Sequence, residues 1–213
     1  MRYILITLVL AFSLLSGVKA MAIEKPNYTV EMTEGKFEVR QYPPMMLAEV
    51  KVAGDRNQAA NRGFRKLAAF IFGDNTPNAK IAMTAPVVQA PQNQKVKSEK
   101  IAMTAPVVQT PEAEGRWTVN FMMPSEYSMD SLPKPTDGDI RIYMTEPYRT
   151  VSIRFSGRSR MKNLNKHQVK LDEFVSAQGL RIVGGPEYAF YNAPFVPPFL
   201  RRNEVHYRLA ASN

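Results

Sequence analysis

The chain has 213 residues, a formal net charge of +9, 12 methionines, 16 prolines and no cysteine. Its length suits one domain with a sizeable core, and a content of 45% hydrophobic and 22% charged residues excludes a disordered or collagen-like chain. The absence of cysteine excludes disulfides, thiolate metal sites, iron–sulfur clusters and a cysteine nucleophile, and two histidines are too few for a three-histidine metal site.

The first twenty residues have the layout of a secretory signal peptide. Arg2 provides a short positive start, residues 3–16 are almost wholly apolar, and Val18 and Ala20 occupy positions −3 and −1 of a cleavage site. We therefore predict a signal peptide over residues 1–20 that is cleaved after Ala20.

A single mature domain over residues 21–213 is then expected in the periplasm or outside the cell. The apolar run of the signal peptide is too short to span a bilayer comfortably, so no stable membrane insertion is expected after cleavage. Two alternatives stay open. In the first alternative, the segment stays uncleaved as an N-terminal anchor. In the second, translation starts at Met21 and the protein stays in the cytosol.

Short strands and two helices are predicted along the mature chain. Apolar alternation and turn signals predict strands over Tyr28–Met32, Lys36–Tyr42, Met45–Ala53, Arg116–Met123, Ile140–Met144, Thr150–Phe155, Glu187–Asn192 and Glu204–Leu209. Helical spacing predicts one helix over Arg56–Phe72, capped by Asp55 and Gly73, and another over Leu164–Gln178. The order of strands, helix and strands occurs twice. This order predicts an α+β fold of two β-α-β halves that pair into one antiparallel β-barrel flanked by the helices.

A segment of ten residues occurs twice without change. Lys80–Gln89 reads Lys-Ile-Ala-Met-Thr-Ala-Pro-Val-Val-Gln and recurs as Lys100–Gln109 after a polar linker. Each copy is rich in strand-forming residues, but Pro86 and Pro106 cannot donate to a central ladder, which favours edge strands or a β-ribbon. A recent local duplication explains the repeat equally well, and its role stays open.

The patterns of common enzymes are missing from the sequence. It contains no Gly-rich phosphate loop, dinucleotide fingerprint, HExxH or GxSxG motif. Ser156 has no supporting histidine nearby, and Glu146, Glu187 and Glu204 are isolated, so neither serine nor paired-carboxylate catalysis is indicated. The basic residues are scattered, which argues against a nucleic-acid surface. We predict a binding protein without catalytic residues.

Histidine and methionine are two residue types of this chain that can act as ligands for a haem iron. His167 falls within the apolar stripe of the second helix and is interpreted as a histidine at the core edge, with iron ligation as the alternative. His206 is predicted to face the other side of its strand with Arg208, at the surface. The methionines suit either the core or a pocket for a flat apolar molecule. No metal site is predicted.

The first helix has an apolar stripe and a distinctive flank. The predicted core stripe consists of Ala60, Phe64, Leu67 and Ile71. The flank beside it consists of Asn61, Arg65, Ala68 and Phe72. Ala68 leaves room, Phe72 offers an aromatic surface, and Arg65 is a bidentate donor for a carboxylate. An ordinary solvated flank is the alternative interpretation.

Several motifs in order resemble the SOUL haem-binding protein family. They are the doubled Lys-Ile-Ala-Met-Thr-Ala-Pro-Val, Trp117–Pro124, Leu132–Pro135, Phe155–Gly157 and Arg201–Glu204, and the similarity runs from about Tyr28 to Leu209. The resemblance implies a duplicated fold with a distorted antiparallel β-barrel, as in bacterial effector-binding domains. It also implies that haem or another tetrapyrrole is bound as a ligand in a shallow apolar groove.

By position in the motif order, the resemblance places this groove on the first helix and on a late loop rich in proline and phenylalanine, residues 193–200, called here the Pro/Phe loop. The resulting site residues are Asn61, Phe64, Arg65, Ala68, Phe195, Val196 and Phe199, and Phe72 joins them from the flank. Some family members have an N-terminal histidine proposed as the iron ligand, whereas no histidine precedes His167 here. The expected site therefore holds a tetrapyrrole by apolar contact and propionate pairing. We also expect the protein to be a monomer.

Two other functions stay open at this level. One is a binding module for another apolar anion or for a protein partner, with haem binding adventitious. The other is a hydrolase or dechelatase that uses the same groove. Arg201–Glu204 is interpreted as fixing the loop through Arg–Glu and Asn–backbone hydrogen bonds, with a polar network at the groove mouth as the alternative.

Overall fold

The computed structural model describes residues 23–77 and 98–211. Within them, the strands are β1 (Thr29–Glu34), β2 (Phe37–Tyr42), β3 (Met46–Ala53), β4 (Asn75–Thr76), β5 (Val107–Pro111), β6 (Arg116–Met122), β7 (Lys134–Pro135), β8 (Ile140–Met144), β9 (Tyr148–Phe155), β10 (Ile182–Phe190) and β11 (Asn203–Leu209). The helices are α1 (Arg56–Phe72) and α2 (Met161–Ala177).

Nine of the described strands form one sheet in the order β1-β2-β9-β11-β10-β5-β6-β3-β8, and β4 pairs with β7. The unit β3-α1-β5-β6 has the same chain order as β9-α2-β10-β11, and the two units meet where β5 pairs with β10. The predicted α+β class, with a large antiparallel sheet and two helices, is confirmed. The sheet ends at β1 and β8, so the predicted closure into a barrel is not confirmed.

Helix α1 has the predicted bounds because both of its ends are capped. Asp55 Oδ1 accepts hydrogen bonds from the amides of Asn57 at 2.9 Å and Gln58 at 3.0 Å, which satisfies two free N–H groups of the first turn. Gly73 ends the helix with a φ of 130°, which favours glycine, and its N–H bonds back to the last turn.

Helix α1 faces the sheet through a stripe that differs from the predicted one. Its centre is formed by Ala59, Gly63, Leu67, Phe70 and Ile71. A Cβ built on Gly63 would lie 2.5 Å from Cγ2 of Val119, so the absence of a side chain lets α1 approach β6 closely. Phe64 is 37% exposed as a result, and the prediction that it lies in the core is wrong.

Both helices pack on the same face of the sheet, called here the helix face. Under α1 lie Ala48, Val50, Val52, Val119, Phe121 and Ile140. Under α2 lie Val39, Val151, Ile153, Tyr188, Val205 and Tyr207. Trp117 packs against both clusters, so the two halves share one continuous apolar layer.

The second copy of the repeated segment enters the middle of the sheet. The first copy, Lys80–Gln89, lies outside the described residues. In the second copy Ile101 and Ala105 are buried, and β5 begins at Val107 between β10 and β6. The prediction of an edge strand or ribbon is therefore wrong. Pro106 immediately precedes the strand, so its missing N–H does not interrupt the ladder.

Two element starts differ from their predicted positions by three residues or more. Helix α2 begins at Met161, three residues before the predicted start, and β10 begins at Ile182, five residues before it. Both early stretches are exposed, so they lack the apolar spacing on which the predictions depended. Within residues 23–77 and 98–211, no helix is long and apolar enough to cross a membrane.

Candidate functional site

Three of the four residues of the predicted α1 flank face away from the sheet. At about 100° per residue, Asn61, Arg65 and Phe72 lie roughly 140–180° from the centre of the buried stripe. Asn61 and Arg65 are exposed, and Phe72 is 57% exposed. The structure therefore places these residues together on one outward side of the helix.

Two of the predicted site residues border this outward side. Phe64 is half-exposed, and its ring meets Phe121 edge-on with centroids 5.5 Å apart, so one edge of the ring is fixed by the core. Ala68 is almost covered, at 9% exposure. Small Ala68 thus lies in sequence between two partly exposed aromatic rings, those of Phe64 and Phe72, one helical turn away on each side.

Arg65 provides positive charge on this surface. Its Nε donates to the carbonyl oxygen of Asn61 at 3.3 Å, and none of the described acidic side chains pairs with it. The neighbouring Lys66 differs, because Asp137 and Asp139 each lie 2.7 Å from its Nζ and raise its pKa. Arg65 is therefore the better candidate donor for a carboxylate ligand.

The late Pro/Phe loop is exposed but well anchored. Phe195 is 87% exposed and Phe199 is 74% exposed, whereas Val196 is half-buried. Arg201 fixes the loop because its Nε donates to the carbonyl of Val196 at 2.7 Å and its Nη2 donates to the carbonyl of Pro194.

The Arg201–Glu204 motif ties this loop to the sheet. Asn203 Nδ2 donates to the carbonyl of Gly157 at 3.0 Å, and Arg202 forms an ion pair with Glu204 at 2.7 Å. These bonds confirm the interpretation that the motif fixes the loop through Arg–Glu and Asn–backbone hydrogen bonds.

The start of α1 and the Pro/Phe loop are both joined to the connection 157–159. Arg56 Nη1 donates to the carbonyl of Ser159 at 2.6 Å, and the amide of Gly157 donates to the carbonyl of Pro198 at 2.8 Å. Among the described residues, however, no ring contact links the loop to Phe64 or Phe72. The closing of one groove by both elements stays a prediction.

His167 lies at the edge of the second core, as interpreted from the sequence. Its ring stacks on Phe155 with centroids 3.9 Å apart, and its Nδ1 is 2.8 Å from the carbonyl oxygen of Asn163. Burial lowers the pKa of His167. The ring therefore packs as part of the core edge, on a helix separate from α1.

His206 is buried, so its predicted place at the surface is wrong. It does face away from the helices, but only 5% of the residue is exposed, and its Nε2 lies 2.6 Å from Oε2 of Glu204. The error arises because large side chains of neighbouring strands cover this opposite side of the sheet, called here the open face. Alternation shows which way a side chain points and does not show what covers it.

A buried ionic network at the centre of the open face was missed by the sequence argument. Arg40 on β2 donates to both carboxylate oxygens of Glu204 on β11, at 2.7 and 3.2 Å, and Tyr191 donates its hydroxyl at 3.0 Å. Burial alone would raise the pKa of Glu204, but its bonds to His206 and Arg40 hold that pKa well below its usual range. The only local signal was a charged residue next to one apolar residue in each strand, Arg40 after Val39 and Glu204 before Val205.

The open face also has a small cleft beside this network. It is lined by Tyr42, Tyr148, Glu187, His206 and Arg208, among others, and its volume of about 40 Å³ has room for only a few waters. It is therefore too small for a tetrapyrrole. Within the described residues, no group of three or more His, Cys, Asp or Glu side chains is arranged to hold a metal ion.

Comparison with protein families gives a match over most of the chain. The family model described as "SOUL heme-binding protein" matches residues 23–97 and 90–208. The first stretch contains the first copy of the repeated segment and the second stretch contains the other copy.

Characterised relatives are similar over most of their own length. Heme-binding protein 2 of Mus musculus is 27% identical over 198 residues, which cover 89% of this chain and 87% of the relative. Heme-binding protein 1 of Xenopus laevis is 26% identical over 199 residues, covering 83% and 90%.

Solved structures with the same fold are more distant in sequence. The C-terminal domain of EcmrR has a TM-score of 0.55 and 9% identity, covering 87% of this chain and 99% of that domain. A hydrolase from Listeria innocua has a TM-score of 0.53 and 10% identity, covering 84% and 94%. At these identities the similarity shows the fold alone.

Proposed function

This chain belongs to the SOUL haem-binding protein family, and on that premise we propose that it binds haem or another tetrapyrrole on the outward side of α1. The ligand lies against Phe64 and Phe72 with Ala68 between them, and the exposed rings of the Pro/Phe loop cover it. The bound tetrapyrrole is cargo or signal, because the described residues show no catalytic pair beside this surface.

The observation that carries the proposal is that Arg65, which has no acidic partner among the described residues, lies on the same side of α1 as the exposed ring of Phe72. A tetrapyrrole with propionates is a flat apolar plate with anionic edges, so it suits exposed aromatic rings beside a cation without a carboxylate partner. Among the described residues Arg65 is a cation without a carboxylate partner, and the exposed ring of Phe72 lies two helical turns along the same side of α1. A charge-assisted bond from Arg65 to a propionate would orient the plate along the helix.

The proposed mode of binding does not use the family's N-terminal histidine. The two histidines of the chain are His167, stacked on Phe155, and His206, buried against Glu204. Neither belongs to the outward side of α1. Affinity therefore comes from apolar contact and propionate pairing, and the iron contributes little.

Titration of the mature protein with hemin and with metal-free protoporphyrin IX tests the proposal. We expect saturable binding of both, with quenching of Trp117 and dissociation constants within about threefold, since one tenfold difference would correspond to about 1.4 kcal/mol of iron ligation. Arg65→Ala should weaken both about threefold to fivefold, because an exposed ion pair is worth up to about 1 kcal/mol. Arg62→Ala, on the same helix, is the matched control.

Two results would contradict this proposal. One is the absence of saturable porphyrin binding at micromolar concentrations. The other is equal loss of affinity in the Arg62 and Arg65 variants, which would show that general positive charge and not this site attracts the ligand. His167→Ala should leave the hemin spectrum unchanged, and a shifted Soret band in that variant would identify His167 as an iron ligand instead.

We further propose that the mature protein is an exported monomer of residues 21–213 that works in the periplasm or outside the cell. The layout of residues 1–20 supports export, and the absence of cysteine is compatible with an oxidising compartment because no disulfide is needed. Cell fractionation with N-terminal sequencing tests this: a chain that begins at Met21 in the periplasm is expected. An intact N-terminus in the membrane or cytosol would overturn it.

A second candidate function is binding of a partner protein through the Pro/Phe loop. Phe195, Phe199 and Leu200 are 87%, 74% and 64% exposed, and three large apolar side chains this close together on a surface commonly mark an interaction site. A Phe195→Ser/Phe199→Ser variant distinguishes the two functions. It weakens porphyrin binding if the loop covers the ligand and leaves it unchanged if the loop serves a protein.

A further inference from the structure

Six methionines of the described chain line a single cavity away from the proposed tetrapyrrole surface. They are Met45, Met46, Met122, Met123, Met129 and Met144. The cavity has a volume of about 400 Å³ and lies where β3 begins and β6 and β8 end, beside the N-terminal segment that contains Glu24. Half of the chain's 12 methionines therefore lie around one space.

Three of these methionines form a row across neighbouring strands. Met46 on β3 is in register with Met144 on β8, and the amide of Met123, just after β6, donates to the carbonyl of Met46 at 2.8 Å. All three point to the same face of the sheet, because residues directly opposite each other share a face. Opposite Cβ atoms are about 4.5–5.5 Å apart, so flexible thioethers at these positions can bring their sulfurs together.

The row runs from the core to the surface. Met46 and Met123 are 6% and 3% exposed, whereas Met144 is 48% exposed, and Met129, which lines the same cavity, is 47% exposed. A small solute can thus reach the sulfur of Met144 from outside and be enclosed by the two inner side chains. Glu24, whose carboxylate accepts from the amide of Ser125, and Lys25 give the lining one negative and one positive charge.

From this arrangement we propose that the methionine cavity is a binding site for a soft monovalent metal ion, Cu(I) or its analogue Ag(I). Met46, Met123 and Met144 are the ligands, with Met129 in reach as a fourth. Thioether sulfur selects such ions over zinc or magnesium, and the six thioethers of the described lining outnumber its single carboxylate, that of Glu24. No change of oxidation state is involved, since the ion binds and leaves as the monovalent cation.

Ag(I) titration of the mature, porphyrin-free protein in chloride-free buffer tests the site, with Cu(I) competition against bicinchoninate under anaerobic conditions as the second probe. We expect one ion per chain. Met144→Leu should weaken binding about tenfold or more, since even loss of a supporting group around a metal costs about that factor. Met161→Leu is the matched control, because Met161 is 39% exposed at the start of α2, outside the cavity. Leucine has nearly the same volume, so both variants are expected to fold.

Hydrogen peroxide provides a residue-resolved readout of the same site. In the metal-free protein the thioethers of Met144 and Met129 should oxidise before those of Met46 and Met123, because oxidation follows exposure. Bound Ag(I) should protect Met144 and leave Met161 as reactive as before.

The proposal is overturned by the absence of saturable Ag(I) and Cu(I) binding, by equal affinity of the Met144 and Met161 variants, or by oxidation of Met144 that Ag(I) does not slow. These tests contain no porphyrin, so they stand apart from the hemin titration. Either site can fail while the other survives.

Discussion

The two faces of the nine-stranded sheet bury different chemistry. On the helix face, α1 and α2 cover a layer of valine, isoleucine, leucine and aromatic side chains. On the open face, the largest fully buried side chains are charged: Arg40 and Glu204 are 1% and 0% exposed, and they form an ion pair with each other. The helix face is thus stabilised by apolar packing, and the open face by the pairing of buried charges.

The difference shows where each face is vulnerable. An apolar layer tolerates exchanges that conserve volume, and it loses stability when a methyl group is added or removed at a tight contact. A buried ion pair tolerates almost no change to one partner alone, because the other is then left as an uncompensated charge in the interior. Single substitutions on the two faces should therefore cost unequal amounts of stability.

Glu204→Gln should give the largest loss, about 3–5 kcal/mol of the free energy of unfolding, because Arg40 would lose its fully buried counter-charge and keep only the half-buried Glu38, 2.7 Å from its Nε. Urea denaturation followed by Trp117 fluorescence measures it. Glu31→Gln is the matched control. Its ion pair with Arg149 is at the surface, with 35% of the glutamate side chain exposed, so that change should cost less than about 1 kcal/mol. Equal losses in the two variants would show that the open face has no special dependence on charge.

The pH dependence of stability should come largely from the open face. Because the bonds to His206 and Arg40 depress the pKa of Glu204 in the folded state, its contribution is present above the unfolded pKa of about 4.3. That contribution is lost as the pH falls from about 5 toward the folded pKa. Wild type should therefore lose stability over this range, and Glu204→Gln should show a flatter acid limb. An unchanged slope in the variant would place the titrating group elsewhere.

The helix face was largely predictable from the sequence and the open face was not. Apolar alternation and the caps Asp55 and Gly73 are local patterns, so strand positions and the bounds of α1 followed from them. The partnership of Arg40 with Glu204 joins residues 164 positions apart. No local pattern contains it, and the same lack of long-range information made His206 look exposed.

The outward side of α1 shows the same limit on a smaller scale. Spacing correctly grouped Asn61, Arg65 and Phe72, because they share a side of the helix whatever it packs against, whereas Ala68 is buried at the border of that side. It misplaced Phe64, because the orientation of α1 depends on the close approach of Gly63 to Val119, and a glycine adds nothing to an apolar stripe. The joining of this side to the Pro/Phe loop depends on tertiary structure and stays a prediction.

Gly63→Ala should destabilise the helix face by about 1–2 kcal/mol. The added methyl would lie 2.5 Å from Cγ2 and 2.8 Å from Cβ of Val119, a branched side chain on a central strand. Overpacking costs about 1–3 kcal/mol, and the higher helix propensity of alanine returns up to about 1 kcal/mol of that. Thermal and urea unfolding measure the net effect.

A double variant identifies the contact responsible. Val119→Ala removes the two methyl groups that the new side chain meets, so Gly63→Ala/Val119→Ala should lose at least about 0.5 kcal/mol less than the sum of the single variants. Additive losses would mean that α1 does not press on Val119, and that helix-face packing is looser than the geometry indicates.

Arg65→Ala should have the smallest effect on folding, within about 0.5 kcal/mol, because surface substitutions without tertiary partners usually stay in that range. The Arg65 side chain belongs to neither face, since it is exposed and bonds only within its own helix among the described residues. In this variant the free energy of unfolding should therefore be unchanged, whereas the porphyrin affinity should be reduced. A loss of stability comparable to that of Gly63→Ala would show that Arg65 supports the fold, and its role would then be structural. If only the porphyrin affinity falls, the sheet serves as a rigid support on which the outward side of α1 can change its ligand without loss of the fold.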